Sequence, residues 1–257
     1  MPTFRRLADS FGLETFDVDL AAAPQSPEFA EIEPALYRGQ VLVFRGQKLT
    51  PAQFVAFARR IGRPEPHVID QFHHPEFAEI LILSNVKKDG KPTGLADGGT
   101  YWHTDYSYLE EAAKATTLYS IQVPQRGCAA FFVNMRAAYD DLPSTMKRRI
   151  DAMITLNLYG NRDDLDVASR TAASNLNSEQ WQKMALVKHP LVRPHPVTGQ
   201  KALYAVSGTS RGIEGILEDE ALDLLRELTA HATQPKYQLR LKYGVGDVVL
   251  WDNPSLL

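Results

Sequence analysis

Two residues of this chain have the types and spacing to hold a metal ion. They are His103 and Asp105, inside Gly98-Gly99-Thr100-Tyr101-Trp102-His103-Thr104-Asp105-Tyr106-Ser107-Tyr108. Aromatic and β-branched residues surround the pair, so the stretch reads as a short strand leaving a glycine-rich loop. Residues two apart on a strand share a face. An imidazole nitrogen and a carboxylate oxygen then reach one ion, with Thr104 turned away. A His-x-Asp pair plus one distant His puts two nitrogens and one carboxylate on one face of an octahedron. That set suits non-haem Fe(II) and leaves positions for a co-substrate and O2. The tripeptide alone is common, and its plainer reading is a loop-capping His beside a solvated carboxylate. The rest of the chain has to decide between them.

The elements that must position this pair follow from periodicity and caps. Residues 3–7 and 13–19 read as short strands. Ser26-Pro27-Glu28 opens a helix striped by Phe29, Ile32 and Leu36 and ended at Gly39. Val41-Leu42-Val43-Phe44 is apolar throughout, as for a strand buried on both faces. Thr50-Pro51-Ala52-Gln53 is a capping box for a helix with Phe54, Phe57, Ala58 and Ile61 on its core face, stopped by Gly62. Residues 63–75 form a loop holding His67, and His73 and His74 are expected at its surface. Residues 79–85 read as a strand ending at Asn85, and 86–100 as a long surface loop able to fold over a site.

Beyond the pair, 115–123 reads as a strand stopped by Pro124, and Phe131-Phe132-Val133 as another. Helices are expected over 134–141 and 144–153, the second capped by Ser144. Residues 157–176 read as loop with some helix, and 177–186 as a short helix. Strands are expected at 187–192 and 202–205. Residues 218–231 form an amphipathic helix on Leu217, Ala221, Leu224, Leu225 and Leu228. The last hairpin pairs 237–243 with 247–251 through Gly244-Val245-Gly246. Strands dominate around the candidate site. The expected fold is mainly β with flanking helices, a barrel or jelly-roll core in a single domain over 1–257.

Composition narrows the function classes. The chain has 257 residues, 44% of them hydrophobic, enough for a sizeable core. A net charge of −3 and a pI near 6.2 argue against a nucleic-acid binder. The basic spots Arg5-Arg6, Arg59-Arg60 and Lys147-Arg148-Arg149 read as solvated faces. The single cysteine, Cys128, excludes an intrachain disulfide and reads as a buried, inert thiol. There is no signal-peptide run and no apolar stretch of membrane-spanning length. These point to a cytoplasmic location, no membrane and no nucleic acid, with a homo-oligomer left open.

The chain resembles the taurine/phenoxyacetate-herbicide (TauD/TfdA) dioxygenases. The resemblance runs through Val41-Leu42-Val43-Phe44-Arg45, Leu49-Thr50-Pro51-Ala52-Gln53-Phe54, Trp102-His103-Thr104-Asp105 and Ala137-Ala138-Tyr139-Asp140-Asp141-Leu142. It continues through His189-Pro190-Leu191-Val192-Arg193, Gly199-Gln200-Lys201-Ala202-Leu203-Tyr204 and Gly246-Asp247-Val248-Val249-Leu250-Trp251-Asp252-Asn253. It implies a double-stranded β-helix and an Fe(II)- and 2-oxoglutarate-dependent dioxygenase that hydroxylates a small anionic substrate with O2, releasing succinate and CO2. It makes His103 and Asp105 two of three iron ligands. The third His would follow Leu257 and the arginine for 2-oxoglutarate would lie further on, so a further C-terminal segment is expected. Where the family has Gly-Gly-Asp-Thr, this chain has Gly127-Cys128-Ala129-Ala130, and Ala130 supplies no hydroxyl to 2-oxoglutarate. The family's Trp-Asp-Asn-Arg becomes Trp251-Asp252-Asn253-Pro254.

For the substrate, the resemblance puts His67 at a taurine-site histidine, but Asp70 and Gly99 replace the expected Tyr and Asn. Asp70 would repel a sulfonate in the same pocket. Tyr108, at the end of the same aromatic stretch, and Asn85 are candidate pocket walls. His189, His195 and His231 are expected to be structural. Two other classes stay open. One is a jelly-roll binding or scaffold protein whose metal site has degraded, motivated by Ala130. The other is a hydrolase using the same ligands on zinc.

Overall fold

The structure, a computed structural model, describes residues 2–9, 11–22, 27–96, 98–127, 129–159, 176–182 and 184–257. The expected Ser26 cap, the Cys128 thiol and most of the 157–176 stretch lie outside the described residues.

The largest sheet has five strands: β1 (Arg5–Arg6), β2 (Leu13–Thr15), β3 (Val41–Phe44), β16 (Val248–Asp252) and β8 (Ala115–Tyr119), in that order. β3 runs parallel to β2 and antiparallel to β16, with Val41 opposite Trp251 and Phe44 opposite Val248. All four β3 residues are buried, as their unbroken apolar run requires. One face of this sheet packs on the helices α1 (Pro27–Ala30), α2 (Ile32–Gly39) and α3 (Pro51–Ile61) through Leu42, Phe44, Leu36 and Phe57. The other face, with Val41, Val43 and Val249, meets Phe132, Leu239 and Leu241.

Those last residues belong to a two-stranded sheet of β9 (Ala129–Val133) and β15 (Gln238–Lys242). A three-stranded sheet orders β11 (Val187–Pro190), β10 (Ile154–Asn157) and β14 (Ser210–Ile213), and β12 (Val192–Pro194) pairs with β13 (Lys201–Leu203). The pairs β4 (His73–His74) with β5 (Phe77–Leu81) and β6 (Lys87–Lys88) with β7 (Lys91–Pro92) are peripheral. A second core joins α4 (Met135–Asp140), α5 (Ser144–Ile150) and α7 (Glu218–Ala232) to β12 and β13 through Met135, Ile150, Val192, Leu203 and Leu225. The short α6 (Ser178–Gln182) follows the 157–176 stretch.

Local chemistry explains several of these limits. Thr50 accepts from the Gln53 amide while Gln53 Oε1 accepts from the Thr50 amide at 2.8 Å, a complete capping box on α3. Asn134 caps α4 by accepting from the Ala137 amide at 3.0 Å. The α5 cap position is Pro143, and Ser144 is the first helical residue, a correction to the expected Ser144 cap. His73 and His74 are half-buried in β4 and not in a surface loop. Ser210–Ile213 was not expected as a strand, because Gly212 and the polar Ser210 and Arg211 break its alternation.

Two larger expectations are corrected. β15 and β16 do not form a hairpin: β15 pairs β9, whereas β16 sits between β3 and β8. The Gly244-Val245-Gly246 turn therefore carries the chain from one sheet to another. The stretch holding His103 and Asp105 is not a strand but a loop running into a turn, with Tyr106 at φ 56°. That left-handed backbone ends any extended run at the pair itself.

The segment after β16 is clamped by buried charge. Asp252 is fully buried, with Oδ1 3.0 Å from His195 Nε2 and Oδ2 3.0 Å from Arg136 Nη2. Ser255 donates to the same carboxylate. Gln40 Nε2 donates to the Ser255 carbonyl at 3.1 Å, and Leu257 pairs its backbone with Val133.

Candidate active site

His103 and Asp105 come together in the 101–108 loop although no strand carries them. His103 Nε2 lies 3.1 Å from Asp105 Oδ1, and the two side chains are 29% and 23% exposed. Thr104 between them points the other way, 3% exposed, and its hydroxyl donates to the Leu256 carbonyl at 3.1 Å. The Ser107 hydroxyl donates to the Thr104 carbonyl at 2.8 Å and lies 2.6 Å from Thr209 Oγ1. Gly208 sits at φ 68°, and a Cβ there would lie 2.8 Å from His103 Cβ and 3.1 Å from the Trp102 carbonyl. Only a glycine lets the 207–210 turn press this closely under the loop.

The geometry suits a metal. His103 Nδ1 is 2.7 Å from the Tyr101 carbonyl. A donor at Nδ1 fixes the tautomer and leaves Nε2 as the ligand atom. Two donors each about 2.1 Å from an octahedral ion at right angles are about 3 Å apart, the spacing seen here. Burial opposes the charge on His103, but the Asp105 carboxylate outweighs it and holds the imidazole above its usual range. Burial likewise opposes ionisation of Asp105, and His103 together with the Thr116 hydroxyl overcomes it and keeps the carboxyl low. Thr116 on β8 in turn accepts from Asn253 Nδ2 at 2.9 Å. Among the described residues no third His, Cys, Asp or Glu joins the pair.

Aromatic rings wall the site. The His67 ring packs edge-on against Tyr106, Tyr108 and Tyr159, with centroids 6.0, 6.5 and 5.7 Å away. Its Nδ1 accepts from the Ile69 amide at 3.1 Å, so the neutral ring carries its proton on Nε2. Burial lowers its pKa to about 4, and it is neutral near pH 7. Tyr108 is buried, stacks on Tyr106 at 5.8 Å and has a hydroxyl without a hydrogen-bond partner among the described residues. Tyr101 packs against the His103 ring at 5.0 Å, and burial raises its pKa to about 12. Tyr204 is 1% exposed, and burial raises its phenol to about 12 despite Arg193 beside it.

Of the other expected residues, Asn85 lies exposed between β5 and β6 and makes no hydrogen bond among the described residues. Asp70 is exposed and accepts from Gln180 Nε2 at 2.9 Å. Ala130 lies half-buried on β9 opposite Leu241 and presents a methyl group. His189 Nε2 lies 2.9 Å from the Leu109 carbonyl, His195 sits on Asp252, and His231 reaches the Ala138 carbonyl at 2.8 Å, all structural contacts. Sequence reasoning gave no role to Tyr101, Tyr159, Tyr204 or Thr116. Tyr101 stands two residues before His103, a spacing that could have marked it, whereas Tyr159, Tyr204 and Thr116 come from separate elements that no local spacing links to the pair.

The family model for "Taurine catabolism dioxygenase TauD, TfdA family" matches residues 3–257. The alpha-ketoglutarate-dependent 2,4-dichlorophenoxyacetate dioxygenase of Cupriavidus pinatubonensis is 35% identical over 254 residues, 94% of this chain and 85% of that protein. The (S)-phenoxypropionate/alpha-ketoglutarate-dioxygenase of Sphingobium herbicidovorans is 30% identical, over 96% of this chain and 85% of its own length. The crystal structure of AAD-2 in complex with Mn(II) and N-oxalylglycine superposes with a TM-score of 0.81 at 30% identity, covering 100% of this chain and 89% of the other. N-oxalylglycine is a 2-oxoglutarate analogue. These relatives favour an oxygenase over a scaffold or a zinc hydrolase. The chain belongs to the TauD, TfdA family, and is an Fe(II)- and 2-oxoglutarate-dependent dioxygenase that uses O2 on a small organic substrate.

Proposed function

We propose that residues 1–257 form one dioxygenase domain on a double-stranded β-helix, in which His103 and Asp105 hold the iron for hydroxylation of a small aromatic or apolar carboxylic acid. The observation that carries this reading is the His103–Asp105 pair, 3.1 Å apart, beside the Tyr106, Tyr108 and Tyr159 rings. The Tyr101 carbonyl orients His103, and Thr116 orients Asp105. When bound, Fe(II) with 2-oxoglutarate supplies the oxidising chemistry that converts O2 and a C–H bond to an alcohol, succinate and CO2. The tyrosine wall excludes water and packs the body of the substrate. His67 offers an Nε2 proton to an acceptor on it. Two relatives act, by name, on phenoxyalkanoates, whose apolar ring this wall suits and whose carboxylate can accept the His67 proton.

The test is substrate-dependent succinate formation with Fe(II) and ascorbate across a panel of small aromatic acids. Stimulation that disappears without O2, and in His103→Ala and Asp105→Ala, is the expected outcome. No stimulation by any acid in the panel removes the substrate class. Undiminished Fe(II) uptake by both variants removes the ligand assignment.

A further inference from the structure

We propose that Arg193 and Tyr204 form a carboxylate-binding subsite beside the His103–Asp105 pair. The proposal rests on the substrate class given above and names the residues that would read its charge. Arg193 lies on β12, and Tyr204 directly follows β13. The guanidinium carbon sits 4.9 Å over the Tyr204 ring centroid. Among the described residues Arg193 Nη1 and the Tyr204 hydroxyl are both buried without a hydrogen bond of ordinary geometry, and Arg193, the polar group beside that hydroxyl, can donate to it but gives it nothing to donate to. Arg193 makes no ion pair among the described residues.

Buried polar atoms without partners are few in folded proteins, and each calls for a bound group that completes it. Two such atoms on adjacent side chains, one of them on a cation, narrow that group to an anion. A guanidinium only donates, and its flat fork matches a carboxylate. The ring edge-on to Tyr204 at 5.4 Å is His189, which offers no negative charge and is engaged with the Leu109 carbonyl.

Placement ties this pair to the site. Tyr204 lies within the field of Asp105. The backbone that follows it turns at Gly208, directly under His103. In this proposal a small acid with its carboxylate on Arg193 and Tyr204 extends its body toward the candidate iron ligands.

Two molecules in the reaction carry carboxylates, the substrate and 2-oxoglutarate, and calorimetry on the Mn(II)-loaded protein separates them. The titrants are phenoxyacetate and 2-oxoglutarate, and the variants are Tyr204→Phe, which removes only the hydroxyl, and Arg193→Gln. Thermal melts confirm that both variants fold. Weakening of phenoxyacetate binding by about tenfold or more, with 2-oxoglutarate binding kept within about twofold, is expected from loss of a charge-assisted hydrogen bond. Weakening for 2-oxoglutarate alone supports the subsite and assigns its carboxylate to the co-substrate. Unchanged affinities for both titrants, or a wild type that takes up 2-oxoglutarate unaltered by either substitution and never binds phenoxyacetate, overturns it. Retained 2-oxoglutarate-dependent O2 consumption in that case leaves the dioxygenase standing, whereas a wild type that binds no 2-oxoglutarate sinks the proposed function itself.

Discussion

The hydroxyl of Thr104 donates to the carbonyl of Leu256 at 3.1 Å, joining points 152 residues apart in the chain. The residue between the two candidate ligands is thus anchored to the segment that follows β16. Thr104→Val keeps the side-chain volume but leaves a buried carbonyl without its donor, at a cost of about 1–3 kcal/mol. Denaturant unfolding should show that loss, and Mn(II) affinity should fall with it. Wild-type affinity in the variant would mean the anchor does not set the ligand geometry.

Gly208→Ala should damage the same loop from beneath. The new methyl group would meet His103 Cβ at 2.8 Å on a backbone at φ 68°. Left-handed strain alone costs roughly 1–3 kcal/mol, and the displaced imidazole should lose about tenfold in metal affinity. Gly212→Ala is the control, since nothing lies within 4 Å of its Cβ position. It should stay within about 0.5 kcal/mol of wild type. Thermal melts and Mn(II) titrations of the two variants give the comparison.

Asp252→Asn should be among the most destabilising single changes. It leaves Arg136 and His195 facing a neutral amide where a fully buried carboxylate had been. Removing one partner of a buried charge pair typically costs about 3–5 kcal/mol. The loss should appear as a lower unfolding midpoint with an unchanged denaturant slope.

His67 makes stability depend on pH with a defined sign. Its folded pKa is about 4, against 6.5 for the free group. As pH falls through that window the unfolded chain takes up a proton that the folded chain refuses, so stability is full above it and declines within it. The decline from this residue is at most about 3 kcal/mol. His67→Asn should flatten that part of the curve in denaturant titrations, and an unaltered slope would place the titration elsewhere.

Much of this was legible from local chemistry. The Thr50–Gln53 box and the apolar run of β3 need only their neighbours to form, and both stand where periodicity puts them. His103 and Asp105 were legible as a pair of ligand types, but not the backbone that presents them. The left-handed Tyr106 and the Leu256 carbonyl set that backbone, and neither leaves a mark in the spacing. The supposed hairpin at 237–251 failed for a similar reason. Its two strands have the right lengths and a glycine turn, yet partner choice is decided by β9, β3 and β8, far away in sequence. Tyr159, just past β10, and Tyr204, just past β13, come from two different sheets, which no local spacing announces.

The placement of β16 between β3 and β8 also sets the order of assembly. A ribosome delivers β3 some two hundred residues before the strand that covers its flank. Until then a wholly apolar strand exposes an unpaired edge, the kind of surface that seeds misassociation in a nascent chain. The 101–108 loop with the candidate ligands, which leans on the stretch just beyond β16, would be among the last parts to set, so a stalled or shortened translation product should be sticky and bind iron poorly.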